Sequence, residues 1–213
     1  MAAQISFERP FKHVFQDPNW TKKILMGGLF MLIPILGSLI LMGYQKRYFK
    51  MLLEDENAQM PEVEFGKDLS AGLPILGIWI VYVVGLVIAA FILNFIPCIG
   101  QLIALVLNLV IAGGVPIAVA RYYQSEQFGS AFELKQVVDF IKANLNNCGL
   151  FLGIALLAGM VGGVGVVACI IGVVFTMFWA GNVTTIALAD VYRAAQQSAP
   201  VPASAPTDGA PAP

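Results

Sequence analysis

The residues in this chain able to do chemistry are few and scattered. His13 is the only histidine, and Cys98, Cys148 and Cys169 lack the short paired spacing of zinc ligands. That nearly excludes a histidine-based metal centre and leaves the cysteines as small apolar packing residues. A Cys98–Cys169 disulfide is the minor alternative, since the two occupy equivalent places in two apolar hairpins. No serine–histidine–aspartate or cysteine–histidine set, phosphate-cradling glycine loop or paired-carboxylate site emerges. The acids Glu54, Asp55, Glu56, Glu62, Glu64 and Asp68 read as a solvated loop, with weak divalent-cation binding a distant alternative. The expectation is a non-enzyme with no catalytic residue, no metal site and no cofactor.

The remaining polar chemistry sits in apolar surroundings. Residues 24–45, 69–120 and 143–189 contain no charged side chain. Ionisable groups inside a membrane mark proton relays and ion paths, so their absence argues against a proton- or ion-coupled transporter. Asn108, Asn182 and Thr185 lie within the long runs. Either they line a polar path for a solute, or they hydrogen-bond between helices at about 0.6 kcal/mol per contact; the second is the simpler reading. Gly149/Gly153 and Gly159/Gly163 are small-xxx-small pairs that let helices approach closely. They serve packing within the chain or, on the sharper reading, between copies in a homo-oligomer.

These residues must be positioned by helices in lipid. Hydrophobic residues make up 58% and charged residues 12%, against roughly half and a quarter in soluble domains. A net charge of −1 with scattered cations gives no footprint for nucleic acid. About 20 apolar residues cross the hydrocarbon core, so the second and third runs are long enough to cross twice and the first once at most. Backbone groups in lipid must satisfy one another, which requires helices, and the period-two alternation of a barrel wall is missing. The fold class is all-α: polytopic transmembrane hairpins with amphipathic interfacial helices. Breaks are expected at Pro34 and Gly37, at Pro97 and Gly100, and, without a proline, at Gly172. The apolar segments are then about 24–43, 74–96, 100–120, 149–168 and 172–190. Residues 1–23 form a cytoplasmic segment, 24–197 one membrane domain, and 198–213 a disordered Ala/Pro-rich tail. Glu8 and Asp17 interrupt the start and no small-x-small site follows, so the first apolar run is expected to be retained.

Residues 132–145 alternate apolar and charged positions at near-helical spacing, as a helix lying among lipid headgroups does. A soluble connector helix capping the bundle is the alternative. Residues 44–53 read similarly, with Lys46, Arg47 and Lys50 snorkelling to lipid phosphates. Trp20, Trp79 and Trp179, with Tyr44, Tyr82, Tyr122, Tyr123 and Tyr192, are partly placed to anchor at the interfaces. Arg47-Tyr48, Arg121-Tyr122-Tyr123 and Tyr192-Arg193 each follow an apolar run, a weak sign of duplication. Positive charge orients the chain. Were the first run to cross fully, Arg9, Lys12, Lys22 and Lys23 would face away from every other Lys and Arg. Re-entrant at Pro34–Gly37, it leaves all of them on one face. The charge pattern favours the re-entrant form in the cell (inner) membrane: four full spans, one shallow hairpin and both termini cytoplasmic.

Several local patterns then combine. Phe15-Gln16-Asp17-Pro18-Asn19-Trp20-Thr21-Lys22-Lys23 leads into Gly27-Gly28 and Leu32-Ile33-Pro34-Ile35-Leu36-Gly37. Gly43-Tyr44, Met60-Pro61-Glu62, Asp68-Leu69 and Gly72-Leu73 follow. Over roughly 7–193 the chain resembles an uncharacterised family of bacterial and archaeal membrane proteins, domain of unknown function 4013. The resemblance implies a polytopic helical protein of prokaryotic type and brings no activity with it. The functional expectation is a non-enzymatic scaffold that organises the bilayer or binds an unidentified protein partner. The alternative is a small permease or oligomeric channel.

Overall fold

Pro10 lies in the first turn of helix α1 (Arg9–Gln16), where a missing backbone N–H leaves no bond unmade. The Asn19 N–H donates to the Asp17 carboxylate at 2.8 Å and turns the chain into α2 (Trp20–Met31). That helix stops at Leu32–Ile33, and Pro34 opens α3 (Pro34–Glu54). The break falls immediately before the proline, as its clash with the preceding residue demands. Gly37 faces the Phe30 carbonyl so closely that a Cβ would collide with backbone. The chain doubles back here: Lys22, at the start of α2, reaches Glu62, beyond α3, at 3.3 Å. The 12-residue α2 is only about 18 Å long.

The computed structural model describes residues 4–93, 95, 99–164 and 170–198. Pro97, Cys98, Cys169 and residues 199–213 lie outside the described residues, and with them the second break's proline, the alternative disulfide and nearly all of the expected tail. The helices α4 (Phe65–Leu93), α5 (Ile99–Ser125), α6 (Leu134–Ala143), α7 (Leu145–Val164) and α8 (Ile170–Ser198) follow, with a 3-10 turn at Phe128–Phe132. Among the described residues there is no strand, and the fold is all-α. Among the described residues, three helical segments are long and apolar enough to cross a membrane: Phe65–Leu93, Leu145–Val164 and Gly172–Ser198. α5 spans 27 residues and packs against α4. Gly100 and Gly172 fall in the first turns of α5 and α8.

The helices overrun the apolar segments. α4 begins at Phe65 and continues through Pro74, and α5 continues through Pro116 to Ser125. Apolarity marks what faces lipid, whereas the backbone bonds of a helix persist past that boundary. On α4, Ile80, Val84, Val87, Ile88 and Phe91 are exposed, an apolar face natural in lipid and unsupportable in water.

α3 is the central post, packed against α2, α4 and α8, while α7 lies along α8. Its inner half corrects the expectation for residues 44–53. Tyr44, Tyr48, Phe49 and Leu52 are fully buried, so this stretch is the core end of a long helix and not an interfacial one. The tyrosine belt is corrected too. Tyr44, Tyr122, Tyr123 and Tyr192 are buried, and Phe49 meets Tyr123 at 5.4 Å and Tyr192 at 5.6 Å. The ends of α3, α5 and α8 converge there, and wide rings fill the space between them. At the α3–α4 seam two glycines interlock reciprocally, Gly43 against the Asp68 backbone and Gly72 against that of Leu39.

Candidate functional site

The polar side chains gather at one end of the bundle, where the N-terminal helix, residues 55–64 and the end of α8 meet. Arg9 bridges the Asp190 carboxylate and the Glu56 carbonyl. Arg193 donates to Glu56 at 2.7 Å, and that hydrogen bond is the chief reason the Glu56 carboxyl is held below its ordinary range. His13 Nε2 lies 3.0 Å from the Ala58 carbonyl. Lys23 donates to Asp17 at 2.7 Å and to the Met60 carbonyl, while Asp17 is almost wholly buried. One continuous set of bonds therefore joins α1, the start of α2, residues 56–62 and the end of α8.

A second cluster pins α3 to α4. Arg47 forks onto Asp68 with Nε–Oδ1 3.0 Å and Nη2–Oδ2 2.8 Å. It also donates to Glu64 at 3.0 Å and to the Glu62 carbonyl at 2.6 Å. Asp68 is 1% exposed and accepts from the Glu64 N–H at 2.7 Å, placing an anion in the first turn of α4, where the helix dipole favours one. Lys67 donates to Glu64 and Lys50 to Glu126, and these bonds are the leading reason each of those carboxyls is held low. Lys46 also pairs with Glu126 and lies 4.7 Å from the Tyr122 ring. Lys46, Arg47 and Lys50 thus hold carboxylates of this chain, which corrects the expectation that they snorkel to lipid.

Beside these clusters a cavity of about 790 Å³ opens between the ends of α5 and α8 and the short α6. Arg121, Gln124, Asp139, Asn144, Tyr192 and Gln196 contribute to its lining. Arg121 donates to Glu133 at 2.8 Å and to Gln136. The Tyr192 hydroxyl donates to the Ile117 carbonyl at 2.7 Å, and its ring stacks on Phe140 at 4.6 Å. The cavity sets these polar side chains among a larger apolar surface that includes Phe140, Ala143 and Ala195. Among the described residues that line it, no nucleophile sits beside a base. Among the described residues no three His, Cys, Asp or Glu side chains gather to hold a metal ion.

The polar residues singled out from the sequence go to different places. Asn182 is fully buried: it accepts from the Tyr44 hydroxyl at 2.9 Å and donates to the Phe178 carbonyl at 2.8 Å. Thr185 is buried and donates to the Gly181 carbonyl at 2.8 Å. Asn108 is exposed on α5. Gly149, Gly159 and Gly163 have open space where a Cβ would stand, and Gly153 meets only Phe7, at 3.8 Å. Close packing within the chain falls instead on Gly27 and Gly28 against Phe178 and Phe175, on Gly43 and Gly72, and on Gly162 against Ala180. Gly37 sits at the turn, as the break pattern requires. The ion-pair clusters escaped sequence reasoning, although the Asp17-Pro18-Asn19 turn signal was visible.

A helical bundle whose described residues include three membrane-length apolar helices, with most of its charged groups bonded together at one end, defines a helical membrane protein. The chain belongs to the family described as protein of unknown function (DUF4013), whose model matches residues 26–177. No curated protein and no solved structure matches it. The residues that carried the resemblance are architectural: Asp17 and Lys23 pair, Gly43 and Gly72 interlock α3 with α4, Pro34 and Gly37 make the turn, and Tyr44 binds Asn182.

Proposed function

We propose that this protein is a non-enzymatic membrane scaffold, held in the cell (inner) membrane with its ion-paired end in the cytoplasm, where it binds a protein partner. In this reading α2 and the outer half of α3 are a re-entrant hairpin, and both termini lie on the cytoplasmic side. The observation that carries it is the continuous bonding of α1, residues 56–62 and α8, which builds a rigid platform from segments distant in sequence. An interior whose deep polar groups, Asn182, Thr185 and Thr176, are bonded to their own bundle supports it, because a solute path needs polar groups free to exchange partners. One observation favours a permease or channel: Asn108 points outward, where it lines a path only between copies of the chain.

Reconstituted liposomes separate the two. The scaffold reading expects no solute flux above empty vesicles; robust flux lost in Asn108→Leu would overturn it. Membrane-impermeant labelling of single cysteines at Glu8 and Gln59, both exposed, tests the orientation. Labelling from the same face is expected, and labelling from opposite faces would refute the re-entrant hairpin.

A further inference from the structure

Helix α6 differs from the rest of the charged end. Among the described residues, every Lys and Arg outside it has a carboxylate partner within ion-pair distance. Lys135 and Lys142, both on α6 and both exposed, have none. They lie three residues before and four after Val138, hence on one face of the helix. Beside them runs an apolar stripe at helical spacing: Leu134 is 62% exposed, Val138 45%, and Leu145, just past the helix end, 68%. The opposite side is fixed to the bundle by buried Val137 and by Phe140 on Tyr192. An anchored helix with an outward apolar stripe and, along its edge, two lysines outnumbering the one acid a turn from each, Asp139, is shaped for the boundary between acyl chains and anionic headgroups.

Directly beneath the stripe lies a crevice of about 270 Å³ between α5 and α7. Ile141 and Leu145 lie at its α6 end, and Gly113, Gly114, Gly149 and Leu152 supply its walls. A Cβ at Gly114 or Gly149 would meet nothing within 4 Å, so the glycines leave space that no side chain among the described residues fills. The lining is almost wholly apolar, and water placed there would lack the two to four polar partners it needs. One turn of a helix about 10–12 Å across takes up roughly 400 Å³ or more, beyond the crevice's volume. An alkyl chain fits. Gly149 lies one turn into α7, so a chain entering there begins at the depth of α6 and its lysines.

We propose that α6 and the crevice form a binding site for one anionic phospholipid. Lys135 and Lys142 hold the phosphate, and one acyl chain lies between α5 and α7 along Gly113, Gly114 and Gly149. The site is independent of whether the bundle acts as scaffold or permease, because it faces lipid and not the bundle interior.

The test uses the full chain purified in detergent and exposed to phosphatidylglycerol or phosphatidylcholine with identical acyl chains, bound lipid being counted by native mass spectrometry. A basic residue near an anionic surface contributes about fivefold at low salt, so the two lysines together predict roughly a 30-fold preference for phosphatidylglycerol. K135Q/K142Q should abolish the preference while eluting as a monodisperse species. Gly149→Leu, which fills the open crevice, should reduce retention of both lipids. Glycerophosphoglycerol, the headgroup without tails, should fail to compete. Equal retention of the two lipids by the unaltered chain, undiminished phosphatidylglycerol binding in K135Q/K142Q or in Gly149→Leu, or competition by the tailless headgroup would each overturn the proposal.

Discussion

Substituting Gly43 by alanine tests the seam on which the bundle is built. The added Cβ would overlap the Asp68 carbonyl oxygen, 2.6 Å from its carbonyl carbon and 2.8 Å from its Cα. Carbon atoms rest about 3.5–4.0 Å apart, so α3 and α4 must separate locally by about 1 Å. Backbone cannot swing aside as a side chain can, and Asp68 is also the residue that Arg47 grips with two bonds. Overpacking of this kind costs about 1–3 kcal/mol. Alanine is also a better helix former than glycine by about 1 kcal/mol, which would mask part of the loss. Gly159→Ala supplies the control: its site is helical and exposed, with nothing within 4 Å of the new Cβ, so it gains the propensity term alone. The difference between the two variants isolates the clash.

Cys148 provides the assay, because it is a buried free thiol that a maleimide dye reaches only when the bundle opens. With Cys98 and Cys169 replaced by serine, Gly43→Ala should unfold roughly 4–8 °C below Gly159→Ala for a clash of about 2 kcal/mol. Gly72→Ala should behave like Gly43→Ala, since its Cβ would stand 2.8 Å from the Leu39 carbonyl carbon. The double variant should lose less than the two single losses added, because helices already moved apart accommodate the second methyl. Equal melting of Gly43→Ala and Gly159→Ala, or strict additivity of the two seam variants, would refute the close-packed seam.

Other perturbations reach the remaining contacts. Arg47→Met leaves the buried Asp68 carboxylate unpaired and should destabilise the bundle by about 3–5 kcal/mol. Arg47→Lys should fall between, lacking the planar fork; both are read by Cys148 reactivity against temperature. Asn182→Leu strands the Tyr44 hydroxyl and should cost about 1–2 kcal/mol. Adding Tyr44→Phe should recover part of that loss, which a double-mutant cycle measures. Glu56, Glu64 and Glu126 are held below their ordinary value of 4.5 chiefly by hydrogen bonds from Arg193, Lys67 and Lys50. A depressed carboxylate stabilises the fold above its unfolded pKa, and that stabilisation is lost as pH falls through the folded pKa. Protease cleavage within residues 55–64 should therefore be slow near neutral pH and rise below about pH 4.5.

What could be read in advance was what is local. Pro34 ended a helix because proline's clash acts on its immediate neighbours, and long uncharged runs became helices because backbone satisfaction is decided residue by residue. The destination of a ring or an ion is not local. Arg9 and Asp190 are 181 positions apart, and no periodicity encodes their meeting. The tyrosines near the helix ends look the same in sequence whether they face headgroups or the meeting point of three helices. The glycines show the same limit from the other side. The paired spacing of Gly149/Gly153 and Gly159/Gly163 is the familiar signature of close approach, yet the tight seam is made by Gly43 and Gly72, each on a different helix. Reciprocity between two helices, not spacing along one, decides where backbones can touch.

That distinction bears on where function can reside. A side chain committed to an internal partner cannot meet a ligand without first giving that partner up, and in an apolar interior the vacated group is left unsatisfied. Asn182, Asp68 and Arg47 are so committed, and the motifs that identify the family fall largely on residues of this kind. Such motifs report how the bundle is held together. Groups that can act outward are those the fold leaves uncompensated: the unpaired lysines of α6 and the glycine-walled crevice beneath them. These border one ten-residue helix that packs against α5 and α7, so a substitution on its outward face leaves the α3–α4 seam in place.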